Sequence, residues 1–242
     1  MDRQVMLRCI LLVKIAAVVV AAGSGSRMGT KAKKQFLTLD GTPLVGYALK
    51  ILDASHMIGS IIVVVSPGDE EYCRKAVVDR LGINKAATIV PGGKERQDSV
   101  YNGLLALSHD TDIVVVHDGA RPFFSSAILE SVIEAAQAHG AATCAVPAKD
   151  TVKLAGEDGF VTGTLPRGCT WLVQTPQAFR YELIIEAHRR AREDNFLAAD
   201  DAALVELMNK PVKIVMGSYD NIKITTPEDM VVARTIIRES AR

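Results

Sequence analysis

Residues 15–22, IAAVVVAA, form an apolar run that gives way at once to a glycine-rich and then cationic segment, GSGSRMGTKAKKQF over 23–36. A Val-rich run with no polar face fits a strand buried on both sides of a parallel sheet, and such a sheet needs helices on both faces. The chain is thereby directed towards an α/β fold. Gly23 and Gly25 carry no Cβ, so backbone N–H groups at the turn can approach an anion closely. Arg27 and Lys34 bring fixed positive charge to the same place. The segment reads as a polyphosphate site whose cations also serve chemistry at that phosphate.

The rest of the chain repeats the strand-then-helix order. Strands are predicted at 61–65, 87–90, 112–117, 142–146 and 212–215. Helices are predicted from Thr42-Pro43 to about 52, and near 69–81, 96–107, 126–139, 180–194, 201–209 and from Pro227 onward. The helical spacing of Leu44, Tyr47, Ala48, Ile51 and Leu52 is one example. Over 149–171 the rhythm changes: two short β-like pieces at 151–154 and 160–164 flank Gly156-Glu157-Asp158-Gly159, the signature of a hairpin or arm. The expected fold is a Rossmann-like, doubly wound, mostly parallel sheet with right-handed crossovers and a protruding β-arm. Its ligand site lies beyond the strand C-termini, where the turns at 23, 92 and 118 all fall. The expected organisation is a single domain over 15–242 after an N-terminal extension at 1–14, with Met6 as an alternative start.

Lysine plus arginine and aspartate plus glutamate each number 28, for a formal net charge of +0. That balance points away from a nucleic-acid partner, whose affinity rests on neutralising phosphates, and towards a small anionic ligand. Cys9, Cys73, Cys144 and Cys169 have no metal-ligand spacing and read as reduced thiols of a cytoplasmic protein. Arg3 and Arg8 before the apolar residues 9–13 imitate a secretory leader, but Lys14 interrupts that run and cleavage near 23 would remove the first strand. The run is also too short to span a membrane.

Several pieces carry candidate chemistry. The loop spacing G-x-G-x-x-x-G departs from the dinucleotide fingerprint, no acidic residue stands at the ribose-binding distance, and no G-x-x-x-x-G-K-[ST] loop is present. In G-G-K-E-R-Q-D-S (92–99), Gly93 and Ser99 are candidates to read a base edge, against the plainer reading of a capped helix start with solvated charges. In H-D-G-A-R-P (117–122), Asp118 faces ribose or a metal-bound phosphate and Arg121 holds an anionic second substrate, unless the two form only a local ion pair. His117 reads as a strand-end histidine. Arg167 and Thr151 in the arm, and Lys223 near the last strand, have plain polar readings of their own. An arm leaving the sheet has little surface to bury alone and is expected to pack on a second copy.

Together, A-A-G-S-G-S-R-M-G…K-Q-F, G-G-K-E-R-Q-D-S, H-D-G-A-R-P, T-P-Q-A-F (175–179) and D-N-I-K-I-T-T-P-E-D (220–229) resemble the 2-C-methyl-D-erythritol 4-phosphate cytidylyltransferase family of the non-mevalonate isoprenoid pathway. The resemblance covers nearly everything after residue 14. It implies a CTP-dependent, Mg²⁺-requiring nucleotidyltransferase acting as a homodimer through interlocked arms. By motif, Arg27 and Lys34 match the family's transition-state stabilisers, and Arg167 and Lys223 match the residues that position the methylerythritol phosphate. Ala21, Ala22, Gly93 and Ser99 match contacts to cytosine, with Gly23 and Gly25 in the nucleotide loop. Asp118 and Gly119 match the ribose and phosphate region. Arg121 and Thr151 match substrate-side positions, and Thr151 and Arg167 are expected to serve the partner subunit's site. The magnesium ion is expected to ride mainly on the CTP phosphates, with Asp118 a candidate protein ligand. Two departures from the family pattern are Lys33, where many members have proline, and Ser26, where some have a basic residue.

The sibling reading is cytidylyl transfer to ribitol 5-phosphate on the same scaffold. A non-catalytic nucleotide-binding regulator is disfavoured because both reactive-site cations are present. An NAD(P) oxidoreductase is disfavoured by the glycine spacing.

Overall fold

The computed structural model describes residues 13–23 and 36–240. At its centre lies β1 (Ile15–Ala21), which pairs in parallel with β4 (Ser60–Val65) on one side and β6 (Ile113–Asp118) on the other. Successive residues of β1 alternate between two apolar layers. Ala17, Val19 and Ala21 meet α1 (Leu44–Ala54), the helical segment that begins as α2 (Glu70–Cys73) and continues as a π-helix (Arg74–Asp79), and α4 (Ser126–His139). Ala16 and Val18 meet α3 (Arg96–Leu105), α5 (Tyr181–Glu193) and α6 (Asp201–Leu207). This two-sided burial is what an apolar run without alternation requires.

The seven-stranded sheet has the order β11-β7-β10-β6-β1-β4-β5, where β5 is Thr88–Pro91, β7 Ala141–Pro147, β10 Trp171–Arg180 and β11 Lys213–Met216. Only β10 runs antiparallel to its neighbours, β6 and β7. The chain winds outward from β1 to β4 and β5, then crosses back to β6. The C-terminal ends of β1 and β6 therefore form the topological switch point, where doubly wound folds place their ligands.

The structure adds three features to the sequence reading. Strand β10 was not expected, because Pro176 interrupts it and polar residues fill its middle. Its ladder with β7 shifts register between Val173 and Gln177, and an irregularity of that kind accommodates a proline that cannot donate to the ladder. Helix α1 begins at Leu44 rather than at Thr42-Pro43. Thr42 and Pro43 instead form β3 and pair with β2 (Thr38–Leu39) around Asp40 and Gly41, both at positive φ (46° and 76°). Asp-Gly is the favoured pair for such a two-residue turn, and a residue before proline avoids the helical region.

The arm consists of β8 (Lys153–Ala155) paired antiparallel with β9 (Val161–Thr164), and it leaves Leu154, Phe160 and Val161 exposed. The closing helix α7 (Pro227–Ser240) packs Ala233 with Leu39, Leu44 and Ile224.

Candidate active site

Three turns meet at the C-terminal edge of the sheet. Ala21 is buried, and Ala22 follows it with its carbonyl accepting from the Ser66 hydroxyl at 3.0 Å. The turn after β5 closes directly on this backbone: a Cβ on Gly92 would lie 2.5 Å from the Ala22 Cβ and 2.7 Å from Ser99 Oγ. Gly93 donates its N–H to Ser99 Oγ at 3.1 Å, and that hydroxyl donates to the Glu95 carbonyl at 3.1 Å. Ser99 therefore acts as a post that shapes the turn. The turn after β6 is equally tight, since Gly119 donates to the Val20 carbonyl at 2.9 Å and a Cβ there would stand 3.0 Å from Val45 Cγ2 and 3.2 Å from the Ala21 Cβ.

Asp118, at the end of β6, is the electrostatic hub. Its Oδ1 accepts from Arg96 Nε at 2.9 Å and its Oδ2 from Lys223 Nζ at 2.7 Å, while Arg121 Nε stands 3.8 Å from Oδ2. Burial alone would raise the Asp118 pKa, but Arg96 and Lys223 outweigh it and hold the carboxyl well below the usual carboxylate range. Arg96 extends the network inward, donating from Nη1 to Asp201 Oδ2 at 2.7 Å. Asp201 Oδ1 in turn lies 3.1 Å from His188 Nε2. Within this cluster Arg96, Arg121 and Lys223 face Asp118 and Asp201, three cations against two carboxylates. Lys223 is the most exposed of them, with a side chain 38% accessible. Arg96 Nη2 and Arg121 Nε have no hydrogen-bond partner among the described residues. The cluster is thus a positive edge suited to an anion.

Behind Asp118, His117 is fully buried. Its Nε2 lies 3.0 Å from the Arg121 carbonyl and its Nδ1 3.1 Å from the Thr175 hydroxyl, which itself accepts from the Asp118 N–H at 3.0 Å. The carbonyl assigns the proton to Nε2, and Thr175 donates to Nδ1, so a neutral imidazole satisfies every partner. Burial pushes its pKa down to about 4.

A family model described as "IspD: 2-C-methyl-D-erythritol 4-phosphate cytidylyltransferase" matches residues 15–239. The chain belongs to this cytidylyltransferase family. It is 63% identical to the 2-C-methyl-D-erythritol 4-phosphate cytidylyltransferase of Pelotomaculum thermopropionicum, over 93% of this chain and 94% of that one. It is 50% identical to the enzyme of the same name from Desulforamulus reducens, over 93% and 96% respectively. Among solved structures, the 4-diphosphocytidyl-2C-methyl-D-erythritol synthase of Anaerococcus prevotii superposes with a TM-score of 0.83 at 31% identity, covering 94% of this chain and 99% of that one. The Thermus thermophilus 2-C-methyl-D-erythritol 4-phosphate cytidylyltransferase gives 0.77 at 34% identity, covering 93% and 99%.

In this cytidylyltransferase the sequence-predicted residues separate into three groups. Ala21, Ala22, Gly23, Gly93, Ser99, Asp118, Gly119, Arg121 and Lys223 all lie on or beside the strand ends of one sheet edge. Thr151 and Arg167 are exposed on the arm and take no part in the Asp118 network. Gly25, Arg27 and Lys34 lie outside the described residues, as do Ser26 and Lys33. The sequence reading missed Arg96 as a site residue by grouping it with solvated charges. It missed Asp201 and His188 altogether. The Asp200-Asp201 pair before an apolar helix was the available signal, but it reads equally as a helix cap.

Asp118 is a poor fit for direct magnesium ligation, because both its oxygens already accept from cations. Among the described residues no group of three or more His, Cys, Asp or Glu is placed to hold a metal. Nor do the buried thiols offer a nucleophile, since burial pushes Cys73 and Cys144 up to about 12.

Proposed function

We propose that the protein transfers the cytidylyl group of CTP to 2-C-methyl-D-erythritol 4-phosphate, releasing pyrophosphate. The observation that carries this reading is the positive edge around Asp118 and Lys223, at the switch point beside the Gly92–Ala22 contact. A phosphorylated acceptor fits this edge, and a nucleotide fits the glycine turns next to it. The family membership and the 63% identity of a relative bearing that name support the same substrates.

The chemistry is in-line attack of an acceptor phosphate oxygen on the α-phosphorus of CTP. One P–O bond forms as the bond to the pyrophosphate oxygen breaks. A phosphate monoester is already an anion near pH 7, so no general base is needed. Positioning and electrostatics then supply the catalysis. Arg27 and Lys34 neutralise charge developing on the triphosphate. Lys223, tethered to Asp118, receives the acceptor phosphate. Gly93 and the Ser99-supported turn border the cytosine, with backbone from Ala21 and Ala22. Magnesium enters as part of the substrate, carried by the triphosphate.

The protein acts as a cytoplasmic homodimer in which Thr151 and Arg167 on the arm of one subunit complete the site of the other. The exposed apolar residues Leu154, Phe160 and Val161 on that arm support this arrangement. Among the described residues no helix is long and apolar enough to cross a membrane.

Pyrophosphate release from CTP in the presence of methylerythritol phosphate, ribitol 5-phosphate or other sugar phosphates tests the assignment. The expected outcome is preference for methylerythritol phosphate. Preference for ribitol 5-phosphate would reassign the acceptor, and no release with any acceptor would remove the enzymatic reading.

A further inference from the structure

Asp201 and His188 have almost no contact with solvent, at 1% and 0% exposure, and neither belongs to the sheet edge itself. Asp201 opens α6, a helix of seven residues that already buries Ala202, Leu204 and Val205 against the core. A buried ion pair adds little stability over an apolar replacement of the same shape, so packing alone gives no reason for a carboxylate here. Its geometry does. The planar Arg96 guanidinium is held from two sides, by Asp118 through Nε and by Asp201 through Nη1. Two carboxylates on one rigid fork fix the plane of that fork, which the point charge of a lysine does not provide.

The anchor is itself braced. Asp201 Oδ1 meets His188 on α5, and the preceding Asp200 caps α6 by accepting from the Ala203 N–H at 2.9 Å. Asp200 also accepts from Gln177 on β10 at 2.8 Å. Arg96, 22 residues from Asp118 and 105 from Asp201 along the chain, thus transmits the position of α5 and α6 to Asp118. Asp118 uses its second oxygen to place Lys223.

We propose that Asp201, braced by His188, is a positioning residue for the transfer reaction, setting Arg96 and through it the Asp118–Lys223 pair that receives the acceptor phosphate. This rests on the reading of Lys223 as an acceptor-phosphate group. The test is a double-mutant cycle with steady-state kinetics on both substrates, using wild type, Asp201→Asn, Lys223→Ala and the double variant. Asp201→Asn is expected to lower kcat/KM for the acceptor by about tenfold, a typical cost of loosening a supporting residue, with KM for CTP changed by less than about twofold. In the Lys223→Ala background the same substitution is expected to cost less than about twofold, because residues acting through one another are not additive. Equal losses in both backgrounds, or an equal rise in both KM values, would overturn the positioning role alone. An unchanged KM for the acceptor in Lys223→Ala would overturn the reading of Lys223 and the inference together. If Asp201→Asn yields no folded protein, Arg96→Lys gives the same cycle, since it keeps the charge beside Asp118 and removes the fork.

Discussion

Replacing His117 with glutamine removes the titration of a buried imidazole while leaving an amide that can donate to the Arg121 carbonyl. The unfolded chain takes up a proton near 6.5, whereas burial holds the folded imidazole neutral down to about 4. Between those values the unfolded state binds more protons, so stability falls as pH falls. The imidazole's contribution is fully present above about 6.5 and is lost progressively towards 4. At 1.36 kcal/mol per pH unit over that window, it amounts to about 3 kcal/mol. Asp118 and Asp201 also have depressed folded values: burial raises each, and Arg96 with Lys223 at Asp118, or Arg96 with His188 at Asp201, together outweighs it. Their contributions are lost only below the ordinary carboxylate range, which separates the two windows. Urea unfolding at fixed protein concentration, at several pH values from 7.5 to 4, measures the effect. His117→Gln is expected to be less stable than wild type at neutral pH and to lose about 3 kcal/mol less across the window. Parallel pH profiles for the two proteins would refute the assignment of a neutral, doubly bonded His117.

Further outcomes follow from the proposed reaction and from the structure. Arg27→Ala is expected to reduce kcat by about a hundredfold or more with a modest change in KM for CTP, because the proposed reaction sets this cation against charge that develops in the transition state; steady-state kinetics decide it, and wild-type turnover would remove the role. Gly92→Ala places a methyl group 2.5 Å from the Ala22 Cβ. It should lower stability by about 1–3 kcal/mol and raise KM for CTP more than KM for the acceptor. Phe160→Asp puts a charge at a 74% exposed arm position. It is expected to shift sedimentation towards the monomer and to make specific activity depend on protein concentration.

Strands β1, β4, β6 and β7 were legible because each is a Val-, Ile- or Ala-rich run bounded by turn residues, and α4 because Ser125 and Gly140 mark its ends. Ser125 accepts from the Ile128 N–H at 3.2 Å and Gly140 has φ 92°. Strand β10 was hidden for a physical reason. Three of its six buried residues are polar and serve other elements: Gln177 reaches Thr143 and Asp200, Thr175 reaches His117, and Gln174 reaches Ser218 and Asn221. A strand that works as an adhesive between site elements carries no apolar pattern. Sequence motifs brought Asp118, Arg121 and Lys223 into view, since each sits in a recognisable turn. The Arg96–Asp201–His188 chain has no local signature, because its members come from three helices and meet only after the sheet has formed.

The central claim is that CTP and a polyol phosphate are joined through a new diphosphate at the edge between β1 and β6. Phosphorus NMR of the purified protein with CTP, magnesium and 2-C-methyl-D-erythritol 4-phosphate tests it most directly. The account predicts a pair of coupled diphosphate resonances, joining the former α-phosphorus of CTP to the acceptor phosphorus, growing together with one equivalent of pyrophosphate. Unchanged CTP, or its conversion to CMP or CDP without a mixed diphosphate, would contradict it.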